Sequence, residues 1–331
     1  MSSALKLTLA VERYDRHVPF FDGTLSLPEG IELDVKQVGQ SKGHRDGAER
    51  HGRMIHGNEF DICEFSLSSF LMAKARGLPL TGVPVFPRRL FSQSQMWVST
   101  NSDYGHPKEL LGKKVAVSSF QTTLSLLAKG DLKFYYDVPW EEIHWLTTTD
   151  EKLKFEPKPG VKVDYIGGLE TIGEKLESGE ADAFFLPQPP LLVMTKAGSE
   201  EAPARRLFAD CRAEERDYYK KFGDFPIMHV VAIREDLARE EPWLANAVID
   251  LFDQAKEIAA GYYADPNWSQ LAWGRHNFEE ERSFFKNDPW QNGFQNNRAT
   301  LERFIKYSHD QGLIESVYPP ETLFAEEALD S

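Results

Sequence analysis

With 331 residues, 41% of them apolar and 12% aromatic, the chain is long enough to bury a substantial core and to form about two domains by the usual size prior. Its 52 acidic against 38 basic residues leave a net charge of −14, which excludes a phosphate-binding nucleic-acid surface and means that an anionic ligand needs local positive groups. Two cysteines, Cys63 and Cys211, indicate neither a disulfide framework nor a cysteine metal site. No stretch approaches the ~20 apolar residues of a membrane span, and Lys6, Glu12 and Arg13 break the first apolar run before it could serve as a signal h-region. A cytoplasmic protein is expected, with neither nucleic acid nor membrane as partner.

Residues 5–11 alternate and are rich in β-formers, which predicts a first strand with Tyr14, Asp15 and Arg16 in the polar turn at its carboxyl end. Residues 31–38 read as a second strand, and 45–56 as a polar helix carrying Met54 and Ile55 and closed by Gly57. The stretch EFDICEFSLSSF, residues 59–70, then runs from a short apolar strand at 60–63 through Glu64 into a serine-rich helix start. As a buried parallel strand it would deliver Glu64 at its carboxyl end, where open α/β sheets bind ligands. Ser66, Ser68 and Ser69 would lie where unpaired helix N–H groups favour anions. The helix is expected to run to Arg76 and stop at Gly77. An apolar strand at 80–86 ends in Pro87, Arg88 and Arg89, whose planar forks suit a carboxylate clamp. The competing assignment for that pair is one surface arginine and one structural ion pair.

Residues 95–99 read as a strand leaving this lobe, and 114–118 as a strand followed by a second polar helix start at 119–123, repeating the arrangement at Ser66. A helix at 169–178, its stop at Gly179, the acidic Glu180 and Asp182, and an apolar strand at 183–186 echo the earlier run from Gly57 to Cys63, which suits two similarly built α/β lobes. Pro187, Gln188, Pro189 and Pro190 make a rigid turn at that strand's end. A charged segment at 197–206 and a helix at 214–221 lead to a strand at 225–234, FPIMHVVAIR, which returns the chain to the first lobe. His229 is flanked there by apolar residues, a setting more common for a core histidine than for a catalyst. Pro242 opens an amphipathic helix with Trp243, Ala247, Leu251 and Ala255 on one face and Leu244, Val248 and Phe252 beside them. Helices at 268–285 and 298–311 and a docked, acidic tail complete the chain. No phosphate-loop, GxGxxG, HExxH or GxSxG pattern occurs, so nucleotide, nicotinamide, zincin and serine-hydrolase chemistry are not expected.

Taken together, YDR at 14–16, EFDICEFSLSS at 59–69, PVFPRRLF at 84–91, FQTT at 120–123, FPIMHVVAIR at 225–234 and the NNR and QGL of the last helix resemble the 4,5-dihydroxyphthalate decarboxylase family. The pieces stand in the same order and span most of the chain. That family is related in fold to the type 2 periplasmic solute-binding proteins. The resemblance implies two α/β lobes joined by crossovers, residues 1–98 with 225–331 and residues 99–224, and a ligand cleft between them. It also implies an enzyme that removes CO2 from a hydroxylated aromatic carboxylate, with no cofactor expected. The family pattern carries an Arg-His pair just after the arginine matched by Arg89, and an arginine near the end of the second-lobe strand. This chain has Ser92 and Gln93 in the first place and Gln188 by the second. Those departures suit a ligand with fewer carboxylates, or one held by amide hydrogen bonds.

Non-oxidative decarboxylation needs a held carboxylate, electron push from a ring hydroxyl, and an acid that protonates the ring carbon. Glu64 and His229 are the expected proton-transfer pair, since a carboxylate near a buried imidazole can shift both groups toward neutrality. Arg89, with Arg53 or Arg16 as a second cation, is expected to anchor a carboxylate that does not leave. Ser66, Ser68, Ser69, Gln121, Thr122 and Thr123, with Gln93 and Gln188, are the expected neutral contacts. A divalent ion held by Glu64 and His229 is the alternative chemistry. The rival functions are a solute-binding protein for a small aromatic ligand, or another lyase or hydrolase on the same cleft. Homo-oligomerisation is left open.

Overall fold

The computed structural model describes residues 4–40, 42–196 and 199–331, so the first two residues of the charged segment read at 197–206 lie outside it. Among the described residues the strands are β1 (Leu5–Val11), β2 (Ile31–Gln37), β3 (Ile62–Ser66), β4 (Leu80–Val83), β5 (Met96–Ser99), β6 (Lys114–Val117), β7 (His144–Thr147), β8 (Val163–Tyr165), β9 (Ala183–Phe185), β10 (Ala204–Arg206) and β11 (His229–Arg234). They form two sheets. The first has the order β2-β1-β3-β11-β4, in which β1, β2 and β3 are parallel and β11 enters antiparallel between β3 and β4. The second runs β10-β5-β9-β6-β7-β8, with β9, β6, β7 and β8 parallel and β5 antiparallel to both its neighbours, β9 and β10.

Two of these pairings differ from the sequence-based expectation. β5 bonds to β9 and β10, so Met96 already belongs to the second sheet, and the first crossover precedes the boundary at residue 98. The strand expected at 60–63 begins instead at Ile62 and continues through Ser66, with Glu64 opposite Val231. The cause is β11: a fully paired central strand keeps its ladder as long as its neighbour does, and β11 extends beyond Glu64 to pair His229 with Ser66.

The main core lies between the sheets and is filled from both by the helices Leu67–Ala75, Thr123–Phe134 and Phe294–Asp310. The last of these crosses to the second lobe. The ring of Tyr307 lies on the backbone of Gly130, where a Cβ would come within 1.9 Å of it. Lys133 Nζ reaches Asp310 Oδ1 at 2.6 Å, and Trp140 Nε1 donates to Asp310 Oδ2 at 2.8 Å. The outer face of the first sheet is covered by the helix Leu244–Tyr262 through Leu244, Val248, Leu251, Phe252 and Ala255. Trp243, expected on that buried face, is 45% exposed at the helix start, where its Nε1 donates to Glu241 Oε2 at 2.6 Å. Gly82 and Phe324 form a parallel bridge, and Ala325 N donates to Gly82 O at 2.9 Å, so the tail docks beside β4. No helix among the described residues is long and apolar enough to cross a membrane, and both cysteines are free.

Candidate active site

The register of β3 and β11 brings Glu64 and His229 together. Val231 lies directly opposite Glu64, so His229, two residues earlier, shares the face of Glu64 and sits on its diagonal. The His229 Nδ1 is in close hydrogen-bond contact with Glu64 Oε1, and both side chains are buried. Around them the helix Arg50–Gly57 supplies Arg50, whose NH2 stands 3.3 Å from Glu64 Oε1 and whose Nε donates to the Glu64 carbonyl at 2.9 Å. The turn after β1 adds the Tyr14 hydroxyl, donating to Oε1 at 3.2 Å, and the Glu12 N–H, donating to Oε2 at 2.8 Å.

These partners fix the protonation states. Burial would raise the Glu64 carboxyl, but Arg50, followed by the His229 contact, holds it well below the usual carboxylate range. Burial pulls His229 down to about 4 against the attraction of Glu64. A neutral imidazole facing a carboxylate carries its proton on Nδ1, which leaves Nε2 as a lone pair. Gln40 meets that lone pair: its Nε2 lies 2.6 Å from His229 Nε2, and its Oε1 accepts from Arg88 NH1 at 3.2 Å. A continuous chain therefore runs Arg88, Gln40, His229, Glu64, Arg50. His51 stacks edge-on against His229 with ring centroids 5.4 Å apart, and its buried Nε2 has no hydrogen-bond partner.

Of the residues expected from sequence, Glu64 and His229 thus meet, but their roles separate. Both Glu64 oxygens are occupied by protein donors and the side chain is fully buried, so neither oxygen is open to a ligand, whereas His229 Nε2 meets only Gln40. Ser66 and Thr123 also meet, Oγ to Oγ1 at 2.8 Å, and Ser68 N donates to Thr123 Oγ1 at 3.3 Å. The helix starts of the two lobes therefore face each other. Ser66 caps its helix by accepting from Ser69 N at 3.5 Å, while the buried Ser68 Oγ has no partner.

The remaining assignments change. Arg89 is buried: its NH1 donates to Phe225 O and its NH2 to Gln291 O, each at 2.7 Å, and to Asn297 Oδ1 at 2.6 Å, while its buried Nε has no partner. It ties three chain segments together and is not free to clamp a ligand. The neighbouring Arg88 is less engaged: among the described residues its side chain bonds only to Gln40. Arg53 pairs with Glu59 and with Asp46 O, lining a separate hollow with Thr8, Lys36 and Phe60. Arg16 is held by Asp15 and Pro87 O and stacks 3.9 Å over Trp290. Gln121 is locked to Leu153, donating to its O at 2.9 Å and accepting from its N at 3.3 Å, and Thr122 Oγ1 accepts from Ser119 N at 3.2 Å. At the places where the chain departs from the family pattern, Ser92 Oγ donates to the buried Asp131 Oδ2 at 2.6 Å and Gln93 is fully buried beside Cys211, whereas Gln188 is exposed beyond β9. Ser92 thus serves the junction between lobes, whereas both amide atoms of the Gln93 side chain are buried without a hydrogen-bond partner. Among the described residues no group of three or more His, Cys, Asp or Glu is arranged to share a metal ion.

Sequence reasoning missed Arg50, His51 and Gln40. Arg50 and His51 open the helix before β3, and nothing in their spacing separates a buried arginine from a surface one. Gln40 follows β2 and carries no motif at all. Only the charge need of a buried Glu64 could have pointed to Arg50.

No family model matches the chain. Among curated proteins, 4,5-dihydroxyphthalate decarboxylase of Comamonas testosteroni is 29% identical over 338 aligned positions, covering 99% of both chains. The similarity to that protein runs along nearly the whole of both sequences. The protein of the same name from Pseudomonas putida is 28% identical over 193 positions, covering 56% of this chain and 72% of its own. Among solved structures, the periplasmic aliphatic sulphonate binding protein SsuA from Escherichia coli superposes with a TM-score of 0.57 at 11% identity, covering 100% of both chains. The fold is therefore the two-lobed α/β architecture of the periplasmic binding proteins, with Ser66 and Thr123 facing each other between the lobes.

Proposed function

We propose that this chain is a non-oxidative decarboxylase of a hydroxylated aromatic acid, phthalate-like or a related heteroaromatic carboxylate. The observation that carries the reading is the His229 imidazole, held in one tautomer by the buried Glu64 and joined through Gln40 to the cation Arg88. A receptor that only binds its ligand has no use for an ordered proton carrier. The full-length similarity to the Comamonas decarboxylase supports the same chemistry.

In this reading Arg88 anchors a carboxylate that stays on the ring, and the facing helix starts with Ser68 Oγ and His51 Nε2 offer neutral contacts. A ring hydroxyl pushes electron density onto the carbon that bears the departing carboxylate, and a proton that His229 Nε2 has first taken up from solvent adds to that carbon, returning the imidazole to its neutral form. The bond to the carboxylate then breaks, its electron pair restores the aromatic ring, and CO2 leaves. Glu64 is a positioning residue: it holds Nδ1 and stabilises the imidazolium before transfer. The departing carboxylate belongs against apolar surface, where loss of charge is favoured.

A second reading, a binding protein for a small aromatic ligand, is favoured by the fold likeness to the sulphonate-binding protein. CO2 release from hydroxybenzoates, hydroxyphthalates and hydroxypyridine carboxylates, run beside thermal-shift binding of the same compounds, separates the two. Turnover of any member supports the enzyme. Binding of several with turnover of none supports the receptor.

A further inference from the structure

Gln40 bridges the two groups that a ligand carboxylate would need. Its carboxamide accepts from Arg88 NH1 at 3.2 Å through Oε1 and approaches His229 Nε2 at 2.6 Å through Nε2. A carboxamide and a carboxylate have the same planar shape and differ only in that the amide nitrogen donates where the second carboxylate oxygen accepts. We propose that the Gln40 side chain occupies the seat of a ligand carboxylate, and that ligand binding displaces it.

The exchange has a chemical consequence. Gln40 donates to His229 and so requires a bare Nε2. A carboxylate in the same seat accepts, and so requires Nε2–H, while Nδ1–H stays on Glu64. Displacement therefore brings a proton from solvent onto His229, which becomes an imidazolium between two carboxylates. The other charged and titratable groups facing it are Arg50 and His51 from the helix Arg50–Gly57, and Arg88 from the segment after β4; the two arginines oppose protonation. Two anions against these cations make the imidazolium acceptable only when the ligand is present. In the free protein the proton carrier is thus kept unloaded by a neutral plug, and the ligand's own charge loads it. Gln40 also selects for acids, because an ester or amide ligand offers no charge to offset the loss of the Gln40 contacts.

The inference rests on reading the cleft as a carboxylate site, and its test uses no turnover. Phthalate binding is measured by titration calorimetry in two buffers of different ionisation enthalpy, for the wild-type protein, Gln40→Ala and Gln40→Glu, with ligand-free His229 followed by imidazole 15N NMR. The wild type should take up close to one proton per phthalate at pH 7. Gln40→Ala should bind phthalate about tenfold more tightly, since no plug is displaced. Gln40→Glu should bind about tenfold or more weakly and show His229 protonated without ligand, because its tethered carboxylate fills the seat. Weaker or unchanged binding in Gln40→Ala, a neutral His229 in Gln40→Glu, or no phthalate binding by any of the three proteins would overturn the proposal. If the binding results hold and no hydroxy acid is decarboxylated, the plug stands and the decarboxylase reading fails.

Discussion

Arg88 and Arg89 are adjacent, and the proposed reading gives them opposite jobs, so alanine replacement of each should have opposite consequences. The Arg89 guanidinium makes three hydrogen bonds of 2.6–2.7 Å, to the segment before β11, to the loop at Gln291 and to Asn297 of the last helix. Charge-assisted bonds contribute about 1.5–3 kcal/mol each, and a buried acceptor left alone costs about 1–3 kcal/mol. Because the three share one donor group they do not add, and a total loss of about 3–5 kcal/mol is expected for Arg89→Ala. At roughly 2 °C per kcal/mol for a chain of this size, Tm should fall by about 6–10 °C. Arg88 makes one 3.2 Å bond to the partly buried Gln40, so Arg88→Ala should stay within about 1 kcal/mol of the wild type while its affinity for an aromatic carboxylate falls about tenfold or more. Thermal unfolding with and without phthalate, together with calorimetric titration, reads both quantities. An Arg89→Ala protein with unchanged Tm and lost affinity, beside an Arg88→Ala protein that binds normally, would refute the assignment.

Glu64→Gln leaves the fully buried Arg50 facing a neutral amide, with Glu12 at 3.8 Å as its other carboxylate; a loss of about 3–5 kcal/mol in denaturant unfolding is expected, and any turnover should fall by about 10²–10⁴-fold as His229 loses its orienting partner. Asp131 accepts from Ser92, Tyr218 and Tyr307, and burial pushes its carboxyl up to about 7. Between about pH 4 and 7 the folded state therefore binds more protons at Asp131 than the unfolded state, so stability falls as pH rises through that window by up to about 1.4 kcal/mol per pH unit. Asp131→Asn should flatten that part of the stability profile, and an unaltered slope would show that the carboxyl is ionised throughout. Gly130→Ala drives a methyl into the Tyr307 ring and should cost about 1–3 kcal/mol in thermal unfolding; a neutral result would mean the helices Thr123–Phe134 and Phe294–Asp310 slide apart freely.

Much of the scaffold was legible because its signals are local. Alternation marked β1 and β2, the glycine stops and the serine start bounded the helix Leu67–Ala75, and the likeness between the runs at Glu59 and Glu180 pointed to two α/β lobes. The antiparallel entry of β11 between β3 and β4 was not legible, because strand order is set by long-range pairing. That pairing is what turns Glu64 and His229 into neighbours. The difference between Arg88 and Arg89 was invisible for a related reason: Arg89 is fixed by a long-range bridge to Ile227 and by acceptors far along the chain, which leave no composition signal. Trp243 shows a periodic pattern shifted by one residue, since a helix N-cap sits outside the face that its spacing continues.

The central claim, that His229 delivers the proton that replaces CO2, is tested most directly by running the reaction in D2O and locating deuterium in the product. With a hydroxylated phthalate or benzoate, the wild type should release CO2 and leave one deuterium on the vacated ring carbon, while folded His229→Ala should form essentially no product. Wild-type turnover in His229→Ala, or tight binding of these acids by the wild type with no CO2 from any of them, would contradict the account.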